Sequence, residues 1–160
     1  MKNYISNTVE EAKKKLEFYC SYQERCHAEV MQKLKELNMI KEATDLIIVH
    51  LIENNYLNET RFASSFARGK HRIKSWGKVR IINELKARHI SKYNIDLALK
   101  EISEEEYTAT FYKTATLSWN TIKETNIQKK RKKFCDYMLR KGYENNLIYT
   151  VLKELEDNII

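Results

Sequence analysis

Two clusters of cationic side chains carry most of the chemistry this sequence offers. Arg68, Lys70, Arg72, Lys74, Lys78 and Arg80 fall within thirteen residues, with Trp76 among them. Lys129, Lys130, Arg131, Lys132 and Lys133 form an unbroken run, and Arg140 and Lys141 follow one helix length later. Ammonium and guanidinium groups at this density suit a phosphate backbone, because each neutralised phosphate releases counterions and makes binding fall with salt. No base-reading pattern accompanies them, so the expected contact is indifferent to nucleotide sequence. Trp76, between Lys74 and Lys78, has two readings: an indole that stacks on a base or partner, or an anchor of the core.

Other chemistries are poorly supplied. Gly69, Gly77 and Gly142 are the only glycines, so no Gly-x-x-x-x-Gly-Lys-Ser/Thr loop can cradle a triphosphate. Cys20, Cys26 and His27 come nearest to a metal cluster, but their spacing matches no usual zinc pattern. Buried thiols are the simpler reading, since cysteine is among the residues most often found in cores. No pair of carboxylates stands in an apolar setting that would suit a general acid. The expectation is a protein without catalytic residues, metal or cofactor.

The elements that position these residues follow from the composition. The 160 residues include 3 Gly and 0 Pro, with 42% hydrophobic and 32% charged. Average usage is about 7% Gly and 5% Pro, and folds built from strands and tight turns need those residues. Their scarcity implies long helices joined by short polar turns and argues against a β-sandwich or a dinucleotide-binding domain. Helix starts are signalled at Thr8–Glu11, Ser21–Glu24 and Ser103–Glu106, and by Asn58, Ser75, Ser91 and Asn126 as single caps. Apolar residues recurring at three and four then predict nine helices, near 8–20, 22–37, 41–53, 58–71, 76–88, 92–102, 104–122, 127–140 and 145–157.

An internal repeat runs through them at offsets of 51 and 53 residues. Val30, Ile81 and Phe134 align, as do Leu34, Leu85 and Met138; Met39, Ile90 and Tyr143; Ile47, Ala98 and Val151; Ile48, Leu99 and Leu152; and Leu51, Ile102 and Leu155. The expected architecture is all-α, three tandem three-helix modules over 8–55, 56–102 and 103–157. Net charge is +7. Divided by module it is −1 over 1–55, +7 over 56–102 and +1 over 103–160, so the middle module holds the excess. The longest apolar run, Leu46–Val49, is ended by His50, and no membrane span or signal peptide is read. With three cysteines, Cys20, Cys26 and Cys135, and no paired framework, a cytosolic address with reduced thiols is expected.

Tyr56–Ala63, Phe66, Trp76-Gly77-Lys78, Arg80-Ile81, Glu84-Leu85 and Ile90 form a signature of the middle module. Through these residues it resembles the RecX regulators of the bacterial recombinase RecA. Leu139-Arg140-Lys141-Gly142-Tyr143 is similar to the family's closing Lys-Gly-aromatic turn, and Glu24-Arg25-Cys26 before Val30 and Leu34 fits more loosely. This chain departs from the pattern at Asn58-Glu59, where an Asp pair is usual, at Lys78, where Pro is common, and at His89, where Gly is common. The resemblance implies a non-catalytic monomer, an elongated and curved row of three-helix repeats. It also implies a partner, the RecA nucleoprotein filament on single-stranded DNA, whose extension and strand exchange it would limit, damping the SOS response. The cationic set and Trp76 are then the candidate filament and DNA contacts.

Two rival readings stand beside this one. A helix-turn-helix transcription regulator would also be basic and helical but would dimerise and prefer one operator. An α-repeat scaffold that binds only protein would show little salt-dependent DNA binding.

Overall fold

The computed structural model describes residues 7–157. Among these residues the chain forms nine α-helices and no strand: α1 (Val9–Tyr22), α2 (His27–Glu36), α3 (Lys41–Glu53), α4 (Glu59–Lys74), α5 (Lys78–Ala87), α6 (Lys92–Leu99), α7 (Glu104–Thr121), α8 (Ile127–Lys141) and α9 (Asn145–Glu156). Five of the expected caps are in place. The side chains of Thr8, Asn58, Ser91, Ser103 and Asn126 each accept a first-turn amide, and the Glu11 carboxylate completes the box by taking the Thr8 N–H.

Two helix starts differ from expectation. Ser21 does not cap α2; α1 runs past it to Tyr22, and the Ser21 hydroxyl donates back to the Glu17 carbonyl at 2.7 Å. The next helix begins after Cys26, whose N–H is taken by Glu29 at 2.9 Å. Ser75 ends α4 rather than starting α5. It sits in the left-handed region at φ 56°, and the following Trp76 N–H reaches back to the Lys70 carbonyl at 3.2 Å, which closes the helix. Gly77 is the residue that precedes α5.

The repeat seen in the apolar columns is also a repeat of backbone geometry. Asn38, His89 and Gly142 end the second helix of successive triplets, and each has positive φ: 57°, 59° and 93°. Each is followed by an amide that donates five residues back, Met39 to Leu34, Ile90 to Leu85 and Tyr143 to Met138, at 3.1, 3.1 and 3.2 Å. Asparagine visits this region readily, and histidine, as at His89, does so more often than most residues with a side chain. The acceptors Leu34, Leu85 and Met138 are fully buried, as are Val30, Ile81 and Phe134. Removing such a side chain to alanine typically costs about 2–5 kcal/mol.

Helices pack mainly within the triplets α1–α3, α4–α6 and α7–α9, with α4 against α6 the most extensive pairing. Among the described residues the cores are nonetheless two, not three. Ala12, Leu16, Val30, Leu34, Ile47 and Leu51 enclose the first triplet, whereas one continuous cluster runs from Phe62 through Ile81, Leu85, Phe111 and Phe134 to Leu155. The first triplet is tied on by Cys26, which joins the second cluster, by Arg61 to Glu24 at 2.6 Å and by His27 to Glu59 at 2.8 Å.

Burial sets thiol reactivity. It pushes Cys20 up to about 11 and raises Cys26 and Cys135 as well. Since the thiolate is the nucleophile, iodoacetamide at pH 8 should label the partly exposed Cys135 first, and the buried Cys20 and Cys26 only with denaturant. Peptide mass spectrometry over a labelling time course reads the order directly.

Candidate nucleic-acid interface

The second and third triplets meet through backbone. Gly77 N–H donates to the Lys141 carbonyl at 2.7 Å, and Val79 N–H to the Gly142 carbonyl at 3.0 Å. A Cβ on Gly77 would lie 2.3 Å from the Gly142 oxygen, and one on Gly142 would lie 2.2 Å from the Arg80 Cβ. Side chains seal this contact. The Lys78 N–H donates to the Tyr107 hydroxyl at 3.0 Å, and that hydroxyl donates to Glu144 at 2.6 Å. Tyr143 donates to the Ser75 carbonyl at 2.7 Å, and the His71 ring stacks on Tyr107 at 5.4 Å. Burial drives the Tyr107 phenol far above its ordinary range and pushes Tyr143 up to about 12, so both stay protonated donors.

This joint brings together cations that are distant in sequence. A groove of 730 Å³ between the end of α4, the length of α7 and the face of α8 is lined by Arg72 and Lys74 from one side and Lys133, Arg140 and Lys141 from the other. Lys113 on α7 joins them, a residue the charge clusters had not included. Its spacing from Thr110, Thr114, Leu117 and Thr121 places all five along one side of α7, and that periodicity was the available signal. Ile73 and Leu117, 79% and 62% exposed, form apolar lips.

Not every expected contact residue is available. Arg68 pairs with Glu101 at 3.0 Å, Arg72 with Glu106 at 2.7 Å and Lys78 with Glu104 at 2.8 Å. Arg131 pairs with Glu156, Lys132 with Asp136 at 2.7 Å and Lys133 with Glu124 at 3.0 Å. The middle module's excess is therefore partly neutralised across the joint by carboxylates at the start of α7, which module-by-module counting could not register. Arg72 lies far enough into this bond that Glu106 is held below the usual carboxylate range.

Trp76 takes neither of its two readings in pure form. It is half-buried, set edge-on to Phe66 at 6.1 Å, and has the Arg80 guanidinium 4.0 Å and the Lys70 ammonium 5.1 Å from its ring centre. Lys130 lies 4.1 Å over Trp119. Lys129 stands outside the groove.

Among the described residues, Lys74, Lys113, Arg140 and Lys141 have no carboxylate partner. The Lys141 ammonium instead donates to the Lys74 carbonyl at 2.7 Å, and Arg80 donates to the Arg140 carbonyl at 2.9 Å. Burial, with Arg80 and Lys74 crowding beside it, lowers the Lys141 pKa. Like charges held together without counter-charge are relieved by an anion.

Comparison with known proteins finds the domain model "RecX, second three-helix domain" over residues 58–99. Regulatory protein RecX of Lactobacillus gasseri is 28% identical over 86% of this chain and 51% of its own. That of Lactococcus lactis is 31% identical over 87% and 53%, and that of Clostridium acetobutylicum 27% identical over 96% and 75%. The chain thus spans about half the length of the first two. The crystal structure of RecX from Lactobacillus salivarius superposes with a TM-score of 0.76 at 24% identity, covering 92% of this chain and 96% of the other.

Proposed function

From the premise that the chain belongs to the RecX family, as its matching domain, its curated relatives and its fold agree, we propose that it regulates a RecA recombinase by binding the RecA filament on single-stranded DNA. The observation that carries this reading is the groove at the joint of the second and third triplets, where Lys74, Lys113, Arg140 and Lys141 lack carboxylate partners among the described residues. A phosphate backbone supplies the missing counter-charge, and the apolar lips, Ile73 and Leu117, suit sugars and bases. The protein acts as a monomer in the cytoplasm, without catalysis, through modules at 8–55, 56–102 and 103–157, and it limits strand exchange.

Adding the pure protein to RecA, ATP and single-stranded DNA should lower DNA-dependent ATP hydrolysis and strand exchange as its ratio to RecA rises. Unchanged rates over a wide ratio would sink the reading. Competition among unrelated DNA sequences supplies the companion test: equal competition supports phosphate contact, a strong preference for one operator points to a transcription regulator, and no salt-dependent binding points to a protein scaffold.

A further inference from the structure

The first triplet carries an aromatic pair that its own fold does not use. The core of α1 is made by Ala12, Leu16 and Cys20, spaced four apart. Lys14, Phe18 and Tyr22 are offset from that stripe by two residues, which at 3.6 residues per turn is about 200° around the axis, on the opposite side of the helix. Phe18 and Tyr22 are 73% and 77% exposed. Their rings lie 6.4 Å apart with planes 28° from parallel. Isolated exposed apolar residues are ordinary, but two aromatic rings stacked on each other in solvent are the kind of patch that marks a binding surface.

The surroundings say what kind of ligand. Phe18 and Tyr22 line a groove of 620 Å³ with Lys14, Lys15, Tyr19, Lys33 and Leu37, and no carboxylate lines it. Lys14 has no charge partner among the described residues. Lys33 reaches an exposed Glu36 at only 3.7 Å and lies 5.7 Å over the Tyr19 ring. Tyr19 is already covered by the Arg25 guanidinium at 3.8 Å, which leaves Phe18 and Tyr22 as the open rings. Lys15 donates to the Asn7 side-chain oxygen, a neutral partner that leaves its charge uncompensated. Flat π-faces beside ammonium groups that meet no close carboxylate among the described residues match a nucleic-acid strand whose bases are unpaired and free to stack; a duplex hides those faces.

We infer that Phe18 and Tyr22 form a base-stacking platform for single-stranded nucleic acid, with Lys14, Lys15 and Lys33 taking the adjoining phosphates. The inference rests on the nucleic-acid reading of the protein but places a second contact in the one module without net positive charge. It explains why aromatic surface is held in solvent on a helix whose opposite face already supplies its packing.

The test is the affinity of the full chain for a fluorescein-labelled oligothymidylate, read by anisotropy across a salt series. Phe18→Ala and Tyr22→Ala should each weaken binding on the order of tenfold, within the range base stacking commands, and leave the salt slope unchanged. Lys14→Gln should instead reduce the slope by about 0.7. Phe18→Trp should preserve affinity, and an oligomer carrying 5-bromodeoxyuridine should photo-crosslink to Phe18 or Tyr22. The rings are exposed, so circular dichroism should report unchanged helix content in all four variants. Should the alanine variants bind as tightly as the parent while Lys74→Glu binds poorly, the platform is overturned and the joint groove stands. A parent that fails to bind the oligomer overturns both. Alanine variants that lose RecA filament binding but keep the oligomer show a protein-docking face instead, and also overturn it.

Discussion

Gly142→Ala should lower the melting temperature by about 10 °C, and Gly77→Ala should approach it, although neither glycine lies in a hydrophobic core. At Gly142 two penalties add. Its φ of 93° lies in the left-handed region, which costs a residue with a side chain roughly 1–2 kcal/mol. A Cβ there would also stand 2.5 Å from the Arg80 backbone nitrogen and 2.2 Å from its Cβ, so the two triplets must part. Forced overpacking adds about 1–3 kcal/mol. At Gly77 the backbone is ordinary, with φ −78°, but the collision is with the Gly142 carbonyl at 2.3 Å and the Tyr143 nitrogen at 2.6 Å. Relief there breaks the Gly77 and Val79 hydrogen bonds across the joint. A total near 3 kcal/mol converts to about 6–12 °C in a domain of this size. Gly69 is the internal control: nothing lies within 4 Å of its Cβ position, and it sits inside α4, so Gly69→Ala should be neutral or stabilise by about 0.5–1 kcal/mol. Thermal unfolding followed by circular dichroism decides it. A Gly142→Ala protein that melts within about 2 °C of the parent would mean the joint yields freely.

Charge reversal in the groove should have the largest effect on binding. Among the described residues Lys74, Arg140 and Lys141 spend no side-chain charge on a carboxylate, so Lys74→Glu, Arg140→Glu and Lys141→Glu remove cations without breaking an ion pair there. If each meets one phosphate, the slope of affinity against salt for a single strand should fall by about 2 in the triple variant. At roughly 0.15 M salt each lost contact is worth about a factor of four, so affinity should drop on the order of fiftyfold or more. Lys132→Glu is the matched control, because Lys132 already faces Asp136, and it should change affinity little. Arg72 and Lys78 are poor choices for this purpose. Reversing them sets like charges against Glu106 and Glu104 and disturbs the joint as well as the groove. An unchanged salt slope in the triple variant would move the phosphate contact elsewhere.

Much of the fold was legible because it is written in local rules. Helix existence follows from periodicity and from caps such as Thr8, Asn58 and Ser103, whose effect is confined to the next three residues. The aligned columns anticipated which side chains are buried: Val30, Ile81 and Phe134 have no exposed surface, and Ile48, Leu99 and Leu152 are half-buried in all three triplets. Ser21 and Ser75 were misread for one reason. A serine before an apolar stretch is a cap only if the chain turns there: at Ser21 the helix continues and the hydroxyl donates to the Glu17 carbonyl, whereas Ser75 closes α4 and its carbonyl accepts from the distant Tyr143 hydroxyl.

The candidate site was legible only as a composition. From its order of residues the chain determined nine helical segments, their repeat, and a surplus of lysine and arginine around 68–80 and 129–141. Which of those cations remain available was decided by the tertiary structure alone. Arg68 finds Glu101, Arg72 finds Glu106 and Lys78 finds Glu104 across separations of 33, 34 and 26 residues, while Lys74, Arg140 and Lys141 find no carboxylate among the described residues. Charge neutralisation acts over a few ångströms of space, and no count along a sequence measures that distance. The contact of Gly77 with Gly142 supplies the reason the groove exists: two backbones that lack side chains at one point can touch there, and their touching brings α4, α7 and α8 together around it.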